Sequence, residues 1–113
     1  MARATEAVPG VEAESTGQEQ YVPLYRVVLL DDSEHTYDYV VEMLEKLFCM
    51  SEAEAYNHAV EVDKTGRTVV IVCELPAAEF ARDQIHAFGA DWRMAISKGS
   101  MSAVLEPAGR GGM

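Results

Sequence analysis

The chain has 113 residues, with 19 Asp+Glu against 9 Lys+Arg, a formal net charge of −10. That balance excludes a polyphosphate backbone as the expected partner, because such binding needs a basic footprint. The length suits one domain with a compact core, and 49% hydrophobic with 25% charged residues is the composition of a folded globular protein.

Residues 1–20 hold Pro9, Gly10, Ser15 and Gly17, with one Arg against Glu6, Glu12, Glu14 and Glu19, a balance of 1 − 4 = −3. Too little apolar surface is present to offset ordering, so a flexible N-terminal tail is predicted, with a reach of roughly 25 Å. The stretch "MARATEAVPGVEAEST" has no apolar segment of the signal-peptide type, and no apolar run is long enough to span a bilayer. A cytoplasmic protein is expected. The folded domain is placed at 21–107, with a loose C-terminal tail at 108–113.

"YRVVLL", Tyr25 to Leu30, is apolar on both faces and predicts a covered strand. After Asp31 and Asp32, Thr36 fits an N-cap, and Val40, Val41, Leu44, Leu47 and Phe48 recur at helical spacing up to Cys49. "SEAE" at 51–54 is a capping box, Ser51 with Glu54, and Gly66 fits the residue that stops this second helix. Its inward face is predicted as Ala55, Tyr56, Ala59, Val60 and Val62 or Asp63. "TVVIVCE", 68–74, is a strand; Pro76 opens a third helix with Ala78, Ala81, Ile85 and Phe88 inward and Gly89 at its end. The loop "ADWRMAISKGS", 90–100, leads to a last strand, "MSAVLE". The order β-α-α-β-α-β predicts an α+β fold, a three-stranded, mostly antiparallel sheet packed against three helices. Cys49 and Cys73 sit in apolar stretches and are expected as buried thiols, and Trp92 as the anchor of its loop.

Asp31, Asp32 and Glu34 with His35 are the main chemical feature. Three readings stand open on residue types alone. One is a metal site on Asp31, Asp32 and His35, although the spacing matches no ligand motif. Another is capture of an ammonium group by charge-assisted hydrogen bonds. The third is purely structural, one aspartate capping the turn and the other solvated. No nucleophile, phosphate loop or Ser/His/Asp arrangement accompanies the carboxylates, so no enzyme is expected, and no cofactor or metal. His58 and His86 are expected half-exposed on their helices, and Met43, Met50, Met94 and Met101 as core or gap-fillers.

The strand ending in an "LDD" turn, the helix "YDYVVEMLEKLF", "MSEAEA", "EVDKTGRTVVIV" and the closing "SMSAVLEP" together resemble the ClpS family, adaptors of the Clp AAA+ protease, over about residues 24–107. The resemblance implies a non-catalytic adaptor that binds the N-terminal residue of substrate proteins and delivers them to a Clp AAA+ unfoldase. The alternative is a diverged ClpS-like regulator that binds the unfoldase without recognising N-degrons. By matching position, Asp31, Asp32 and Asp63 would hold the α-amino group, and His35, Tyr37, Ala59, Val62 and Met101 would form the side-chain pocket. The family has Asn at the position of Asp31, an acidic residue at Ser33, Met at Tyr37 and at Ala59, and His at Asp63. These replacements point to a polar, smaller or basic first residue. The implied partners are the unfoldase and substrate N-termini, with no nucleic acid or membrane and a monomeric chain, and the tail 1–20 would serve delivery.

Overall fold

A computed structural model describes residues 22–110; the expected N-terminal tail and residues 111–113 lie outside the described residues. Strand β1 (Pro23–Leu30) is followed by helices α1 (Tyr37–Phe48) and α2 (Glu52–Thr65), strand β2 (Arg67–Glu74), helix α3 (Leu75–His86) and strand β3 (Ala103–Arg110). The sheet order is β2-β1-β3, both pairings antiparallel, which is the α+β architecture read from the sequence.

β1 is central, and its unbroken apolar run follows from that position. Val27 and Leu29 join the helix-side core, while Val28 faces the other side, and all three are fully buried. Register explains how Val28 is covered: Arg67 stands opposite Leu30 and Glu106 opposite Arg26. The bidentate Arg67–Glu106 pair, both bonds 2.7 Å, therefore crosses the outer face diagonally above Val28, joining the two edge strands. Opposite Val27 and Val28, β2 carries one extra residue, Val70, a bulge that turns this side chain into the core.

Thr36 caps α1, its hydroxyl accepting the Tyr39 N–H at 3.1 Å, and Cys49 ends the helix in the left-handed region at φ 55. Ser51 caps α2 by accepting the Glu54 N–H at 3.1 Å, and Gly66 closes it at φ +90, where glycine alone is unstrained. α2 meets its neighbours through Ala55, Ala59 and Val62, small side chains one and two turns apart that allow a close approach. Tyr56, expected inward, lies one helical step off that stripe and is half exposed. Conversely, α1 buries Tyr39 and Met43, which the expected stripe omitted; it runs through Tyr39, Val40, Met43 and Leu44.

Other expectations are corrected. Cys49 is exposed because its left-handed cap turns it outward, Cys73 is half-buried, and both are free. Trp92 is 80% exposed, so it does not anchor its loop. The anchor is Asp91, buried to 1%, whose carboxylate accepts the Thr36 N–H at 2.7 Å, the Thr36 hydroxyl at 2.8 Å and the Arg93 N–H at 3.0 Å. The last strand starts at Ala103 and continues past Pro107 to Arg110, with Gly109 opposite Leu24 and Arg110 opposite Pro23, so the chain beyond Pro107 is still strand. A bulge between Leu24 and Tyr25 absorbs one residue there and keeps the ladder running beyond the proline. Among the described residues, no helix is long and apolar enough to cross a membrane.

Candidate functional site

The C-terminal end of β1 and the C-terminal end of α2 are tied together by backbone. Leu30 pairs with Arg67, the residue after the α2 cap, and the Asp31 N–H donates to the Gly66 carbonyl at 3.0 Å. Asp31 is thereby held close to Asp63 in the last turn of α2. The helix carbonyls at that end add partial negative charge, so a carboxylate there favours a cation as neighbour.

A cavity of about 50 Å³ opens at this junction, lined by Asp31, Asp32, His35, Thr36, Tyr37, Val40, Ala59, Val62, Asp63 and Met101. All eight residues singled out in the sequence line it. Its floor is Val40, Ala59, Val62 and Met101, each at most 4% exposed, and its rim carries the carboxylates and the Tyr37 phenol. Larger depressions, of about 190 Å³ beside Tyr25 and Leu75 and about 440 Å³ beside Val41 and Tyr56, carry fewer charged side chains, Glu74 in the first and Asp38 with Glu52 in the second, and neither includes a fully buried side chain in its lining.

The three carboxylates differ in what already occupies them. Asp32 accepts the Glu34 N–H at 2.8 Å, closing the turn, and meets His35 Nδ1 at 2.7 Å. Asp63 accepts the Tyr37 hydroxyl at 2.5 Å. Asp31 makes no side-chain hydrogen bond among the described residues. The structural reading of the sequence thus applies to Asp32, while Asp31 and the second oxygen of Asp63 retain acceptor capacity. The Tyr37–Asp63 bond, followed by burial, pushes the phenol up to about 12.

His35 ties the site to the 90–100 loop. Its side chain is 3% exposed, its Nε2 lies 2.7 Å from the Gly99 carbonyl and 3.3 Å from the Ser97 hydroxyl, and its ring packs against Tyr39 with centroids 4.4 Å apart and planes tilted by 45°. That loop also brings Met101 to the floor. Tyr39 beneath is fixed by its hydroxyl donating to the Gly89 carbonyl at 2.5 Å. Among the described residues, no group of three or more His, Cys, Asp or Glu side chains is arranged to hold a metal ion. Thr36 and Val40 also line the cavity, although the sequence marked them only as a cap and a core position. Their place in the first turn of α1 was the available signal. Asp91, which holds that turn through Thr36, gave none, since a buried and a solvated aspartate look alike in a loop sequence.

The profile of the family described as "ATP-dependent Clp protease adaptor protein ClpS" matches residues 20–93. The ClpS adapter of Nautilia profundicola is 36% identical over 63 residues, 56% of this chain and 65% of that protein. The ClpS adapter of Ruegeria pomeroyi is 40% identical over 57 residues, 50% of each chain. The chain therefore spans between half and two thirds of the length of these two relatives. The structure of Agrobacterium tumefaciens ClpS2 bound to L-phenylalaninamide superposes with a TM-score of 0.65 at 28% identity, covering 75% of this chain and 96% of that one.

Proposed function

The chain belongs to the ClpS family of Clp protease adaptors, and on that premise we propose that it captures proteins by their free N-terminal amino group and passes them to a Clp AAA+ unfoldase. Asp31 and Asp63 take the ammonium group, Asp32 closes the turn that follows Asp31, and Val40, Ala59, Val62 and Met101 receive the first side chain. The observation that carries this reading is a cavity in which acceptor carboxylates ring an apolar floor. An α-ammonium adjacent to a side chain has that same division between charge and apolar surface. Charge-assisted hydrogen bonds from the ammonium to two carboxylates in a partly desolvated site supply the affinity. The ligand of the related ClpS2, L-phenylalaninamide, also presents a free amino group beside a side chain.

No covalent step is required of any residue, so the role is binding and hand-over, without catalysis. Isothermal calorimetry with short peptides and their N-acetylated twins tests the reading. Measurable binding of the free peptides that vanishes on acetylation is expected. Equal binding of both forms, or binding of neither, would refute it and favour a regulator that does not read N-termini.

A further inference from the structure

We propose that Tyr37, clipped to Asp63, is the specificity-determining residue of this cavity and restricts the bound N-terminus to small side chains such as those of Ala or Ser. This inference rests on the amine-binding reading and deepens it.

Three observations converge. The cavity of about 50 Å³ has room for a few water-sized groups. A methyl or hydroxymethyl group fits that space with the walls as they stand; an aromatic or long aliphatic side chain requires a wall to move. The wall that sets the limit is Tyr37, the first residue of α1, whose hydroxyl bonds Asp63 across the mouth at 2.5 Å and whose ring meets Tyr56 edge-on at 5.8 Å. The phenol is therefore held at both its hydroxyl and its ring. The floor, finally, consists of buried apolar side chains, so a lysine or arginine head group driven into it would be left without a partner.

A small first residue lets the clip persist. Asp63 gives one oxygen to the phenol and keeps the other for the ammonium, which Asp31 shares. A large first residue must swing Tyr37 away, breaking a hydrogen bond to a charged acceptor and leaving Asp63 to be satisfied anew. That cost corresponds to a loss of about tenfold or more in affinity.

The test is calorimetric titration of the full chain and of Tyr37→Ala and Tyr37→Phe with peptides beginning in Ala, Ser, Lys, Leu or Phe, each beside its N-acetylated twin. The native chain is expected to bind the Ala and Ser peptides about tenfold or more tightly than the Leu, Phe and Lys peptides. Tyr37→Ala, which removes the wall, should bring the Phe peptide level with or above the Ala peptide. Tyr37→Phe, which keeps the ring but not the clip and leaves the core untouched, should narrow the difference. Equal native affinity for the Ala and Phe peptides, both abolished by acetylation, would overturn the size filter and leave amine recognition standing. An unchanged preference in both variants would likewise remove Tyr37 from specificity. Failure of every free N-terminus to bind the native chain and both variants would instead bring down the amine-binding reading, and this inference with it.

Discussion

At the scale of single residues, the three carboxylates at the mouth of β1 and the end of α2 have separate tasks, and the hydrogen bonds assign them. Asp32 is consumed by its own turn and by His35, whereas Asp63 is shared with Tyr37. The Tyr37–Asp63 bond has a measurable signature. Because the phenol rises from an ordinary 10.0 to about 12 in the folded chain, chiefly through its bond to Asp63, the folded state holds that proton more tightly than the unfolded state. The resulting stabilisation is present in full below pH 10.0 and is lost as pH rises through about 12. Spectrophotometric titration of phenolate should show one tyrosine that ionises last in the native chain and moves down toward its ordinary value in Asp63→Ala. An unmoved titration curve would mean that the bond does not form in solution.

At the scale of elements, the site depends on how α1 begins and on what the 90–100 loop grips. Burial pushes the Asp91 carboxyl up, but bonds from Thr36 and Arg93 outweigh it and hold it below the usual carboxylate range. Such a group contributes stability above its unfolded pKa, lost as pH falls through the depressed folded value. Asp91→Ala strands the Thr36 N–H and leaves the Arg93 guanidinium with Glu42 alone; a loss of about 3 kcal/mol in urea unfolding is expected, fading in acid, together with weaker peptide binding as Thr36 and Tyr37 lose their support. A loss below about 0.5 kcal/mol would show that the loop is held some other way. Much at this scale was legible beforehand. Thr36, Ser51 and Gly66 announce two helices because caps are local chemistry, and the run from Tyr25 to Leu30 announces a covered strand because it is apolar on both faces. The rest depends on tertiary contact. Tyr39 was missed because its burial comes from Phe88 and the Gly89 carbonyl, far along the chain. Size alone suggests an anchor at Trp92, and the pairing of residues 109 and 110 depends on Leu24 and Pro23, more than 80 positions away. For the candidate site, residue types suggested a cation at Asp31 and Asp32, but Asp63, Ala59 and Met101 entered only through the family resemblance. The Tyr37–Asp63 clip was not foreseeable from either.

For the whole molecule, a net charge of −10 with carboxylates ringing the cavity should draw cationic N-termini by long-range attraction. Association rates measured by stopped flow should therefore fall several-fold between about 0.02 and 0.2 M salt, with a smaller change in dissociation; rates independent of salt would contradict this. Residues 1–20 lie outside the described residues, and the role proposed for them is delivery. Their deletion should leave peptide affinity unchanged while slowing degradation by the paired protease, and unaltered degradation would remove that role. The central claim, that the cavity between β1 and α2 receives a free N-terminus, is tested most directly by NMR of the isotopically labelled chain titrated with an alanine-initiated peptide and its acetylated twin. Resonance shifts concentrated at Asp31, Ala59, Val62, Asp63 and Met101 are expected with the free peptide and none with the acetylated one. Shifts confined to the outer sheet face around Arg26, Arg67 and Glu106, or identical shifts with both peptides, would contradict it.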